Sequence, residues 1–513
     1  MRHGLAARLA VAVTAGLVLV TSMADPAIAL APGPPERQGT LCHSEVARAQ
    51  TESLRHLLPD RWWEHAAGLY LCTFKPGRGY AHVLSLDPGK AFEELADIRA
   101  QGFQAIEIFA PADGRFGYAG LDMTDPYNVD RELGTMEDFR CFVRLAHGNG
   151  IAVVVFLNVG YFSFEAPAWL QACADRKAGR DTEKVRWFSW ADSPDAPPPA
   201  LPEDHFFAAG VVPPGTPDAP NTWGWQYSDE AGCYYWARWQ AKDEHGNWVG
   251  LPQTDWGSEE WPREAERIIR FWMDTGIDGM LIDAPMCYSR FTWAKNNRHI
   301  TDVISSYGNA FIQPEGGRDV AWLTEGGYNC LQDYGLGHSL RHAIREGEPS
   351  RIEESLRGYR DLVVGAGGVV YAKVERIEDP QQRRLQTATV ASVGDILVYG
   401  TDDMPGPDEE EQWLLRTRFG HPAFQFQASR RRLSTNANGS CYAFLKTAQD
   451  GSERVLVVLN FGGSPQMVEV DLSGVATAGL VNLRTGERLD RALPFSAGLP
   501  AHGYAFFQVL PAR

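Results

Sequence analysis

Two carboxylates at matching places in this sequence could do chemistry together. Met280-Leu281-Ile282 is a short apolar run that ends in one charge, Asp283. Phe311-Ile312-Gln313-Pro314 ends in Glu315, with Gly316-Gly317 leaving room behind it. A charge at the C-terminal tip of a buried parallel strand is where α/β barrels place catalytic groups. On consecutive strand tips, an Asp and a Glu form a pair suited to acid–base or nucleophilic work. Asp283 taken alone reads as readily as a cap on the following loop.

The elements that must hold this pair are legible around it. In the stretch 261–285, Ala265, Ile268, Ile269 and Trp272 fall at i, i+3, i+4 and i+7 and give a helix one apolar face. Pro262 suits its first turn, Glu266 and Arg270 form an i,i+4 pair, and Gly276 stops it. The same order of helix, glycine and apolar strand recurs. AFEELADIRAQ leads through Gly102 to Ala105–Phe109, MEDFRCFVRLAH through Gly148 and Gly150 to Ile151–Val155, and VISSYGNAFIQPEGG spans 303–317. Alternation of this kind predicts a parallel sheet, and the number of units favours a closed (β/α)8 TIM barrel. Residues 161–260 interrupt the pattern with Pro, Trp and Gly, and beyond about Gln425 the segments alternate as antiparallel strands do.

The chain has 513 residues, ample for more than one domain. Its net charge of −17 argues against nucleic acid or an anionic membrane as partner and suits a neutral ligand. Arg2 and Arg8, the apolar run 9–20 and Ala27-Ile28-Ala29 read as a secretory signal cleaved near Ala29. No other run is long enough to span a bilayer. Export would permit disulfides among the eight cysteines, whose pairing the sequence leaves open, and without a CxxC a zinc or redox site is not expected. Of sixteen Trp, nine lie between Trp187 and Trp261; such rings stack on sugar faces but also fill cores.

The segment DWGSEEWPREAERIIRFWMDTGIDGMLIDA resembles the part of glycoside hydrolase family 13, the α-amylase family, that carries the catalytic nucleophile. YAGLDMTDPYNVDRELGTMEDF, FIQPEGG and GDILVYGTDD extend the resemblance over most of the chain. It implies a signal peptide (1–29), an N-terminal segment (30–65) and a barrel over 66–424. An inserted domain at 161–260 would follow the third strand, and a C-terminal antiparallel β-sandwich would occupy 425–513. It implies Asp283 as nucleophile and Glu315 as general acid/base of a retaining enzyme on α-glycosidic bonds. Asp122 matches a ligand-side Asp, and Tyr118, Asn158, Tyr161 and Glu375 stand near other substrate-binding positions.

The departures are specific. Where the family's third strand ends in Asp, followed four residues later by Asn and His, this chain has Phe156, Gly160 and Tyr161. Leu281 replaces the Arg two residues before the nucleophile, and Leu121 aligns with the ring-stacking Tyr. VVYAKVER lacks the His-Asp pair that brings the third carboxylate, with Glu375 the one acid there. The lost Asp and Arg are partners in the family, so losing both leaves a neutral patch where losing one would strand a buried charge. No calcium or other cofactor is expected. The substrate would be an oligosaccharide or glycoside other than ordinary starch. A non-catalytic sugar-binding or interaction protein on the same scaffold is the competing expectation. A peptidase or esterase is not, since neither a nucleophile elbow nor a zinc motif occurs.

Overall fold

The computed structural model describes residues 58–72, 88–114, 121–131, 133–197, 199, 224–243, 245–285, 293–316, 319–373, 377–400, 406–490 and 495–512. Tyr118, Glu375 and the signal segment lie outside them. Eight parallel strands form one sheet: β1 (Gly68–Cys72), β2 (Ala105–Phe109), β3 (Ala152–Leu157), β4 (Gly279–Ile282), β5 (Phe311–Pro314), β6 (Cys330–Asp333), β7 (Val369–Lys373) and β8 (Ile396–Gly400). Their spatial order is β5-β4-β3-β2-β1-β8-β7-β6, the chain order turned into a ring. The ring closes between β5 and β6, where Asn329 N donates to Ile312 O at 3.1 Å and Ile312 N to Asn329 Oδ1 at 2.9 Å. The expected (β/α)8 barrel is borne out.

Strand alternation sorts side chains into two cores. Leu69, Ala105, Val154, Phe311, Cys330, Tyr371 and Val398 pack together in the lumen, which Trp62, Trp63 and Phe426 plug. Ile106, Val153, Val155, Met280, Ile282 and Ile312 face outward onto the helices. The principal helices are α1 (Pro88–Gln101), α2 (Met136–Gly148), α3 (Glu260–Met273), α4 (Trp293–Ser305), α5 (Tyr334–Glu346), α6 (Pro380–Val393) and α7 (Glu409–Gly420). A capping box opens α2: the Thr135 hydroxyl accepts from Asp138 N, and the Asp138 carboxylate accepts from Thr135 N at 2.9 Å. On α3 the four predicted core positions are buried, Trp261 joins them, and Trp272 Nε1 donates to Pro126 O at 2.9 Å. Burying such a stripe is what fixes α3 against the sheet and hence β4 in its register. Gly279 opens β4 because the backbone oxygen of Phe311 would stand 2.1 Å from any Cβ there.

The insertion leaves the barrel after β3 and returns beside its own exit. Tyr161 bridges to Gln253, and Thr254 N donates to Gly160 O at 2.9 Å. It contributes a helix, Pro167–Lys177, and a sheet in which Cys233–Lys242 pairs with Trp190–Ala191, Gly224–Ser228 and Trp248–Pro252. At the C-terminus a six-stranded antiparallel sheet faces a two-stranded one, with Ala443, Leu456, Val458, Val468, Val470, Phe495 and Leu499 between them. The outer face of the larger sheet, with Phe444, Val457 and Phe506, packs on Leu385, Ala388 and Leu414 of α6 and α7. This agrees with the expected β-sandwich. The five described free cysteines, Cys141, Cys173, Cys233, Cys330 and Cys441, are all buried.

Candidate active site

The parallel register brings Asp283 and Glu315 together. Leu281 lies opposite Gln313 and Ile282 opposite Pro314, so the next residues on β4 and β5 project as neighbours from the C-terminal rim. Asp283 N donates to Leu157 O and Glu315 N to Ile282 O, both at 2.9 Å, which extends the ladder past the strand ends. Ala284 follows in a left-handed conformation, φ 40°, and turns its N–H to Glu315 Oε2 at 3.2 Å. A non-glycine residue held there stores strain, and such residues gather at functional sites. The two carboxyl groups stand close enough for Glu315 to act on the ionisation of Asp283.

Asp283 is 5% exposed. Burial, then the charge and hydrogen bond of Glu315, push its carboxyl well above the usual range, while the Tyr161 hydroxyl opposes the shift. Tyr161 donates that bond to Asp283 Oδ2 at 3.1 Å. The neighbours on the strands below are apolar. Leu281 pairs with Phe156, which pairs with Phe109, and the two phenyl rings stand 4.7 Å apart.

The remaining expected residues divide. Asn158 spends its side chain on backbone: Nδ2 donates to Leu121 O and Tyr161 O, and Oδ1 accepts from Gly160 N. It thereby shapes the turn that presents Tyr161. Asp122 is wholly buried beside that turn. Tyr118 and Glu375 fall outside the described residues, as do Asp402 and Asp403.

Two groups at the site were not anticipated. Glu107 on β2, buried in the lumen, accepts a 2.8 Å bond from the Tyr371 hydroxyl on β7. An acid inside the apolar run AIEIF was the available signal. Tyr334, the first residue of α5, lies near enough to Glu315, Glu107 and Asp283 that burial and these three charges raise its phenol pKa. Nothing in the local sequence marks it. Among the described residues, no group of three His, Cys, Asp or Glu side chains is placed to hold a metal ion.

Residues 95–325 match the α-amylase catalytic domain and residues 432–506 the maltogenic amylase C-terminal domain. The first match contains Asp283 and Glu315 and ends before β7, the strand without the His-Asp pair. The chain is 27% identical over 206 residues to an oligo-1,6-glucosidase of Heyndrickxia coagulans, covering 39% of this chain and 31% of that protein. It is 28% identical over 172 residues to a trehalose synthase of Thermus thermophilus, covering 33% and 15%. The chain thus spans less than half the length of these relatives. The fold is shared with an α-amylase from Geobacillus thermoleovorans at TM-score 0.64 and 14% identity, over 87% of this chain and 98% of that one. On a closed parallel barrel with an insertion after β3 and a C-terminal sandwich, residues 95–325 are thus a divergent α-amylase catalytic domain and residues 432–506 a maltogenic amylase C-terminal domain.

Proposed function

We propose that the protein is a retaining glycosidase, or a transglycosylase, acting on α-glycosidic bonds of an oligosaccharide or glycoside. The pair of Asp283 and Glu315 on adjacent strand ends at the barrel rim carries this reading. Retaining enzymes keep their carboxyl groups about 5–5.5 Å apart, whereas inverting ones leave about 6.5–9.5 Å for a water. A close pair on neighbouring strands suits the former. Glu315 protonates the departing oxygen while Asp283 attacks the anomeric carbon, which gives a glycosyl ester on Asp283. Glu315 then deprotonates water, or the hydroxyl of a second sugar, to release the product. For this to begin Glu315 must carry a proton and Asp283 must be ionised, and the Tyr161 hydroxyl favours an ionised Asp283. Export with cleavage near Ala29 belongs to the same proposal, supported by the charged start, apolar run and A-x-A of residues 1–29.

One observation favours a second reading, a non-catalytic sugar-binding protein. Beside Asp283 stand Leu281 and Phe156 where the family keeps an ion pair, so the carboxyl is pushed toward its neutral form. A panel of α- and β-glycosides, assayed with the wild type, Asp283→Asn and Glu315→Gln, decides between them. Turnover by the wild type that falls at least a thousandfold in each variant supports the enzyme. Binding without turnover on every substrate supports the second reading.

A further inference from the structure

We infer that Trp239, delivered by a bulge in the inserted sheet, is a stacking wall for the sugar unit adjoining the one held at the carboxylate pair. The inference rests on the glycosidase reading and names a residue that sets how that site holds a longer substrate.

The described Trp residues of the insertion mostly serve packing. Trp187, Trp256 and Trp261 are buried against one another, Trp190 stacks on Trp169 at 5.2 Å, and Trp225 pairs with Trp236 at 5.3 Å. Trp239 differs in backbone and in place. Its φ is 61°, a conformation uncommon for any residue with a Cβ and costly for a bulky one. It lies where the strand's register slips, Ala237 pairing with Pro252 but Gln240 with Gly250, so one extra residue is accommodated. The slip changes what the strand faces. Ala237 packs in the main core, whereas Ala241 packs with Leu251 and Tyr161. Bulges near active sites commonly re-aim a side chain, and a strained residue persists only where its surroundings hold it.

The indole is aimed at Tyr161. Their ring centroids are 6.3 Å apart, and the Tyr161 hydroxyl is the group bonded to Asp283. Tyr161 thus touches both Trp239 and the reacting carboxylate. Tyr161 is 6% exposed, while Trp239, Leu121 and Phe164 form the partly open rim of its cluster. A half-open indole presents a flat apolar face and a polar edge, as a pyranose ring requires.

Isothermal titration of maltopentaose and methyl α-glucoside into the Asp283→Asn protein tests this. The added change is Trp239→Asn, since Asn tolerates a left-handed backbone and removes the ring without disturbing the bulge. Maltopentaose affinity is expected to fall about tenfold, with methyl α-glucoside unchanged and Trp239→Phe intermediate. Unchanged maltopentaose affinity, an equal loss for both sugars, or no binding of either by the parent overturns the wall. Wild-type turnover of the same sugars is scored separately: if none is turned over while the ring still governs binding, the glycosidase reading fails and the wall stands.

Discussion

Replacing Tyr161 by Phe isolates the one hydroxyl that favours an ionised Asp283. The ring and its contact with Trp239 remain, and the 3.1 Å bond to Oδ2 is lost. A hydrogen bond to a charged partner contributes about 1.5–3 kcal/mol, and at 3.1 Å the lower half of that range applies. One pKa unit corresponds to about 1.4 kcal/mol, so the pair's first apparent pKa should rise by about one unit. The sign follows from the proton count. The active form holds one proton, on Glu315, and the lost donor destabilises it relative to the doubly protonated form, so the acid limb of kcat/KM moves to higher pH. Within the singly protonated state the proton also shifts toward Asp283, and the plateau should drop about tenfold. A pH–rate profile of both proteins from pH 4 to 9, with melting temperatures as a check on folding, provides the measurement. An acid limb within a few tenths of a unit of wild type, with a plateau within twofold, would refute the account of Tyr161 as the donor that sets Asp283.

Other outcomes follow from the same geometry. Leu281 and Phe156 are register partners, so Leu281→Arg buries an unpaired charge and should destabilise by about 3–5 kcal/mol. Adding Phe156→Asp should recover part of it, and strict additivity in denaturant unfolding would argue that the two do not meet. Asp333 caps α5 through a bond from Leu336 N at 2.8 Å, and burial raises its carboxyl to about 7. Because the folded pKa is raised, its stability contribution is present below about pH 4 and lost as pH rises through 7. Asp333→Asn keeps the cap, so it should raise the melting temperature at pH 8 and leave it unchanged near pH 4. Secreted material should have the mass of a chain beginning near Leu30, and retention of residues 1–20 would exclude signal cleavage.

How much of this was legible in the sequence depended on whether the cause was local. The helix face of α3, the stop near Gly276 and the apolar runs of β3, β4 and β5 follow from periodicity and glycine placement, and they appear where the pattern put them. The pairing of Asp283 with Glu315 was legible because parallel register needs only two strand tips in order. The Tyr161 bond was not, since it depends on a turn shaped by Asn158 contacts across the loop from β2. Asn158 therefore serves as a brace, a role that residue type alone does not distinguish from ligand binding. Glu107 meets Tyr371 from a strand far away in sequence, and Trp239 owes its place to a register slip that no alternation pattern announces. Chemistry set by strand order was readable; chemistry set by cross-barrel contacts and bulges was not.

The altered mouth holds together as one electrostatic solution. An Arg beside a nucleophilic carboxylate commonly lowers its pKa by about 1–3 units, and it needs its own buried counter-charge. This chain has apolar partners at both of those positions, Leu281 and Phe156, which removes the desolvation cost of an ion pair along with its benefit. Among the described residues, the Tyr161 hydroxyl is a donor that favours an ionised Asp283, and Ala284 N is held on Glu315. A neutral donor biases where a proton sits without fixing it there, as a neighbouring cation would. The working range of such a site is therefore narrower in pH and more dependent on the substrate displacing water from the mouth. Trp239 and the tilted pair of Phe109 and Phe156 supply the apolar surface that such displacement requires. The loss of the ion pair and the aromatic rim are two sides of one change: a site that orders its proton by charge has become one that orders it by burial.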